Sequence, residues 1–315
     1  MSVAWIPLSL ISGLIITGAC GLFPLTWPVV IPYLVYNFID KTPEQGGRKW
    51  PWLVRNCPIL PNIRNYFSMK LIRTVELNPS ENYIFAYHPH GIIGYGAQAY
   101  FNEENPEFIS KFPGIDLKTV TLNVNFKWPL FRDLILGLGY ISCSKKSITR
   151  QIEDGPGKSI LIVIGGSHEA LYSGEDSAKL IVRSRLGFIK MAIKTGANLV
   201  PIYSFGENSL FKMDTTFKEN SILKSIQYLV SLTGLRVCLF HGRGIFQSKF
   251  GVFPMNYPIT MVTGEPVKVT QNDNPSEEEI KRVQTEYLKN LTKIYNNYKD
   301  KYHVGSANPP ELEFI

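Results

Sequence analysis

The chain has 315 residues and a mass of 35.7 kDa, is 44% hydrophobic and 19% charged, and carries a formal net charge of +7 with a pI near 9.1. That length is enough for one large domain with a sizeable core, and the apolar content excludes a disordered chain. The basic balance points to an anionic partner, yet no basic run carries interleaved aromatics, so nucleic acid is set aside.

Residues 1–39 contain no charged side chain, and Trp5 to Ile39 is a nearly continuous apolar run. It is long enough for one bilayer crossing of ~20 residues but short for two. Pro24, Pro28 and Pro32 break its second half, which favours a membrane-embedded helical hairpin or a short transmembrane pair over one straight span. A cleaved signal peptide would need a basic start, which is missing here. Lys41, Arg48, Lys49, Arg55 and Arg64 follow the run, and by the positive-inside tendency they keep the main body on the cytosolic side. Residues 40–66, with Pro43, Pro51, Pro58 and Pro61, form a polar connector. Residues 67–315 are the expected cytosolic α/β domain.

Within that domain, Tyr83 to His88 is a buried-strand pattern that delivers His88-Pro89-His90-Gly91 at its carboxyl end. Open α/β sheets place ligands beyond the carboxyl ends of their strands, so these two histidines are the first site candidates. Pro89 ends the strand and holds His88 extended, and Gly91 permits a sharp turn. A helix starting near Ile92 would point free N–H groups back at the site, where they could stabilise an oxyanion. The plain alternative is a pair of satisfied core histidines that cap the strand, and a metal pair is a third reading, but no further ligand with recognisable spacing follows.

Strands are predicted at Thr119–Asn123, Ser159–Ile164 and Leu199–Tyr203, and helices at Leu130–Leu138 and Leu186–Thr195, the latter capped by Gly196. Strands separated by helices argue for a mainly parallel sheet flanked by helices. Three segments could converge on the histidines, one of them Leu199 to Asn208, which supplies a third strand end with polar groups. Gly165-Gly166-Ser167-His168-Glu169 places a carboxylate behind two glycines just past a strand end, within reach of a neighbouring imidazole. Arg183, Arg185 and Lys190 surround a helix start and suit phosphates, although a solvated basic face would look the same. Ser276 with Glu279 is a capping box opening a long helix, on which Ile280, Val283, Tyr287, Leu291, Ile294 and Tyr298 recur at helical spacing. The sequon at Asn290 falls inside that helix, and Val304–Ile315 is expected to be loosely structured apart from whatever Phe314 and Ile315 contact. Cys20, Cys57, Cys143 and Cys238 show no paired spacing and read as reduced.

Taken together, these blocks resemble the type-2 diacylglycerol acyltransferase family, which includes monoacylglycerol and wax-alcohol acyltransferases. The resemblance rests on His88-Pro89-His90-Gly91, Gly165-Gly166-x-x-Glu169, Arg185-x-Gly187-Phe188, Gly196 to Pro201 running on to Asn208, Gly242 to Phe246, and Pro258 to Pro266. It implies a glycerolipid-acyltransferase-like α/β fold in the endoplasmic reticulum membrane, facing the cytosol, with lipid droplets as a second location. It further implies transfer of a fatty acyl group from acyl-CoA to diacylglycerol, with monoacylglycerol or a long-chain alcohol as alternative acceptors. No cofactor is implied beyond acyl-CoA as co-substrate, and a homo-oligomer is allowed. On this reading His90 is the general base, Glu169 orients its ring, His88 holds the turn, and N–H groups after Gly91 receive the oxyanion. Arg183, Arg185 and Lys190 then contact coenzyme A phosphates.

Three departures from the family pattern stand out. The aspartate that follows the histidine in the wider glycerolipid acyltransferases is absent, since position 93 is Ile and position 95 is Tyr. Ser167-His168 fills the Gly-Gly block, and the expected Tyr-Phe-Pro motif is Tyr66-Phe67-Ser68. The rival readings are a serine hydrolase using Ser167 and a non-enzymatic lipid-droplet or lipid-transfer protein. The first lacks the closing glycine of a nucleophile elbow, and the second leaves the clustered histidines and glutamate without a use. A Rossmann oxidoreductase is excluded because Gly137-x-Gly139 lacks the third glycine.

Overall fold

The computed structural model describes residues 5–56, 58–102, 104–213, 240–244 and 251–315. Cys57, Cys238, Ile245 and Phe246 lie outside the described residues. Strands in chain order are β1 Lys70–Arg73, β2 Tyr83–His88, β3 Asp116–Thr121, β4 Ile141–Ser142, β5 Lys158–Val163, β6 Lys179–Leu180, β7 Asn198–Phe205, β8 Lys212–Met213, β9 Phe240–His241, β10 Thr260–Thr263 and β11 Glu313–Phe314. Seven of them form one sheet in the order β1-β10-β7-β2-β5-β3-β4. Every neighbouring pair is parallel except β10 and β7. The chain is therefore an α/β protein with a mainly parallel sheet, as the alternation of strands and helices predicts.

β2 lies at the centre of the sheet, and all six of its residues are buried, as a strand covered on both faces requires. Its alternation divides the core. Tyr83, Phe85 and Tyr87 face one layer with Tyr95, Phe101 and Met261. Ile84 and Ala86 face the other with Ile160, Phe188, Val283, Tyr287 and Leu291. The second layer is closed by the helices Lys145–Glu153, Gly187–Thr195 and Glu277–Tyr302.

The helix ends follow the sequence signals. Gly196 caps its helix with a φ of 68°, in the left-handed region where a Cβ is unfavourable. Ser276 accepts from Glu279 N–H at 3.1 Å, but Glu279 returns no bond to Ser276 and binds Asn272 instead, so only half of the capping box forms. The edge strand β1, its neighbour β10 and the short helix Gly166–Glu169 carry no strong pattern of their own in the sequence.

The apolar N-terminal run forms helices Trp5–Gly21 and Trp27–Ile39. No single described helix is long and apolar enough to cross a membrane. Ile11–Gly21 and Pro24–Glu44 qualify only as a pair, bent by 107° at their break. The pair is tied to the body by polar contacts. Tyr33 Oη donates to Asp133 Oδ2 at 2.6 Å and accepts from Leu130 N–H. Arg132, fully buried, pairs with Asp40, and Arg48 reaches Asp133 at 3.2 Å.

Candidate active site

The His88–Pro89 peptide is cis, and the chain then turns through Gly91 at a φ of 58°. The two histidines have different surroundings. His88 is fully buried, its Nε2 lies 2.9 Å from Tyr287 Oη, and its Nδ1 has no partner among the described residues. Burial lowers its pKa to about 3, so it stays neutral. His90 is partly exposed, and its Nδ1 lies 3.0 Å from the carbonyl of Gly91. A carbonyl can only accept, so Nδ1 carries the proton and the Nε2 lone pair is left free. Burial lowers the His90 pKa below its usual 6.5, so the ring is neutral near pH 7 and can accept a proton.

Glu169 is only 1% exposed. Its Oε1 accepts from the backbone N–H of His90 at 2.6 Å, and its Oε2 accepts from Ile181 N–H at 2.7 Å. The expectation that it orients the imidazole therefore needs correcting: it holds the main chain that carries the ring. Both of its oxygens face backbone amides, and among the described residues the His90 ring bonds to the Gly91 carbonyl instead. Burial raises its pKa to about 7, partly offset by those two hydrogen bonds and by nearby Arg185. A Cβ on Gly165 would overlap the Glu169 carboxyl, so the first glycine of the block makes room for it.

A second buried carboxylate mirrors the first. Glu207, at the end of β7 and behind Gly206, accepts from Tyr95 N–H at 2.7 Å, Gly96 N–H at 3.0 Å and Tyr87 Oη at 2.8 Å. A Cβ on Gly91 would press on its Cγ, at 2.9 Å. The helix over Tyr95–Tyr100 starts later than expected, and Glu207 already uses its first amides. Those amides are not open to an oxyanion. Among the described residues, none accepts from the N–H groups of Gly91, Ile92 or Ile93.

The three predicted cations are exposed. Arg183 spends its backbone on the C-terminus, donating from N–H to Ile315 and accepting from Gln284. Arg185 is close enough to Glu169 to favour its charged form. Among the described residues there is no group of three metal-ligating side chains. Ser167 bonds to neither His88 nor His90. Ser68, at the proline position of the Tyr-Phe-Pro pattern, has a φ of 43° that a proline ring forbids. Tyr66 before it accepts from Arg243 Nε at 2.8 Å and donates to the Pro254 carbonyl.

Sequence reasoning missed Ile181 and the hydroxyl of Tyr287, and it reached Glu207 only as one of the polar groups at the third strand end, with no role of its own. A glutamate behind a glycine just past a buried strand singled out Glu169, and the same signal at Gly206-Glu207 could have given Glu207 its role.

A histidine held by its backbone at the carboxyl edge of a parallel sheet stands where open α/β enzymes place their chemistry. The particular family follows from sequence comparison. The diacylglycerol acyltransferase family model matches residues 20–313, and the chain belongs to that family and is an acyltransferase. It is 42% identical over 283 residues to diacylglycerol O-acyltransferase 2B of Umbelopsis ramanniana, covering 89% of this chain and 81% of that one. It is 41% identical over 281 residues to 2-acylglycerol O-acyltransferase 1 of Bos taurus, covering 88% and 83%. Among solved structures, it is similar to a 1-acyl-sn-glycerophosphate acyltransferase from Thermotoga maritima. That match has 13% identity and a TM-score of 0.39, and covers 90% of this chain and 97% of that one.

Proposed function

We propose that this chain transfers a fatty acyl group from acyl-CoA to the free hydroxyl of diacylglycerol, giving triacylglycerol and free CoA. The observation that carries the reading is the free Nε2 of His90, beside a His88 that is locked to Tyr287. As the hydroxyl attacks the thioester carbonyl, His90 Nε2 takes its proton and the new C–O bond forms. The tetrahedral oxyanion is met by the free amides of Ile92 and Ile93. When the C–S bond breaks, the imidazolium returns the proton to the departing sulfur.

In this mechanism Glu169 and Glu207 hold the loop, and His88 supports it from the core. Monoacylglycerol is the second acceptor, supported by relatives named for 2-acylglycerol. We place the bent pair at the N-terminus in the endoplasmic reticulum membrane, because residues 1–39 lack any charge. Residues 67–315 would then face the cytosol, and the finer fold would be that of a glycerolipid acyltransferase.

The test is acyl transfer from labelled oleoyl-CoA in microsomes, with diacylglycerol, 2-monoacylglycerol and hexadecanol offered in parallel. Triacylglycerol as the main product, abolished by His90→Ala, supports the reading. Product from another acceptor reassigns the substrate, and a fully active His90→Ala removes the base.

A further inference from the structure

One cavity of about 410 Å³ opens on the second core layer, between β5 and the helices Lys145–Glu153 and Gly187–Thr195. Its floor is made of Ile84, Ile160, Ile162 and Ile164, its walls include Phe188 and Met191, and Cys143, Lys145 and Arg185 also line it. We propose that this groove holds the acyl chain of the thioester donor, with Lys145 and Arg185 receiving the phosphates of its carrier. The proposal rests on the acyl-CoA reading above and deepens it.

Three observations support the assignment. The first is direction. Ile84 pairs with Ile160 and Ala86 with Ile162, and Ile164 N–H bonds to the Tyr87 carbonyl. The same register brings Ile164 beside His88, two residues from His90. From Ile164 back to Ile160 the strand runs about 13 Å at roughly 3.3 Å per residue, which is the reach of a medium-length alkyl chain.

The second is chemistry. Aliphatic side chains on the floor offer no hydrogen bonds, so an alkyl chain is the natural occupant, and the volume falls within the usual range for ligand pockets. The third is charge. Lys145 and Arg185 are exposed cations beside an apolar slot, which matches a donor that has a hydrocarbon tail and a phosphorylated carrier. Arg185 also neighbours Glu169, so the charged end of the groove adjoins the loop that carries His90. Of the three cations first singled out, only Arg185 lines the groove, and Lys145 joins it.

The test uses the full chain in microsomes and a series of saturated acyl-CoAs from octanoyl to stearoyl. Ile162→Trp fills the groove, and its palmitoyl-to-octanoyl activity ratio should fall at least about tenfold, equivalent to about two methylenes denied burial. A ratio equal to wild type overturns the groove but leaves the acyltransferase reading standing. A wild type that transfers from no acyl-CoA overturns that reading itself.

A second measurement does not depend on the variant folding. Palmitoyl-CoA should slow alkylation of Cys143 by N-ethylmaleimide in the wild-type chain, read by peptide mass spectrometry, while CoA alone should not. Equal labelling with and without palmitoyl-CoA overturns the proposal.

Discussion

Glu169 grips His90 through the main chain, its Oε1 lying 2.6 Å from the His90 amide nitrogen. In Glu169→Gln the new NH₂ must face either the His90 or the Ile181 amide, leaving one buried donor unmet at about 1–3 kcal/mol. We expect kcat to fall roughly ten- to a hundredfold, with KM for acyl-CoA nearly unchanged. Gly165→Ala, which pushes a methyl into the same carboxyl, should reproduce this split. A pure KM effect in both variants would show that the contact serves binding instead.

His90→Ala should lower kcat by about 10²–10⁴-fold, the usual contribution of a positioned base. Because burial lowers its pKa, the acid limb of the wild-type kcat/KM profile should lie below pH 6.5. A limb centred above that value would assign the titration to another group.

Stability should depend on pH in two opposed ways. Glu169 and Glu207 are raised by burial from 4.5 to about 7. Their protons stabilise the fold fully below pH 4.5, and that increment is lost as the pH rises through 7. His88 is lowered from 6.5 to about 3, so its contribution is present above pH 6.5 and lost as the pH falls towards 3. Between those arms, from 6.5 to 7, stability should fall with rising pH because of the glutamates. Thermal unfolding in detergent should show this slope in the wild type and a shallower one in Glu207→Gln.

Arg132→Met should cost about 1–3 kcal/mol, because it removes the charged partner of Asp40, which among the described residues keeps only its hydrogen bonds from Thr42. The contact joins the N-terminal pair to the catalytic body, so limited proteolysis should cut the 40–50 segment faster in the variant. Unchanged cleavage with lowered stability would place the role of Arg132 within the body alone.

The sequence showed the long central strands of this protein better than its short ones. β2, β5 and β7 stand out because a strand buried on both faces needs an unbroken apolar run. The four-residue β1 and β10 are defined by their pairing, which no local pattern announces. The histidine pair was legible because two titratable rings at a strand end have few other uses. The partner of each ring was not, because Tyr287 counted as one more apolar position in its helix. Glu169 was found at the right position and given the wrong contact: spacing shows that a carboxylate can arrive, but not which donors meet it first.

The last residues of the chain also take part in the site. β11 pairs with β6, and Ile315 binds both the Leu180 carbonyl and the Arg183 amide. Ile181, between those two anchors, supplies the amide that fixes Glu169. During synthesis the brace behind His90 therefore cannot be complete until residue 315 has left the ribosome. At ~5–20 residues per second, the strands up to β10 leave the ribosome seconds before β11, so the turn at Ile181 gains its pairing partner last.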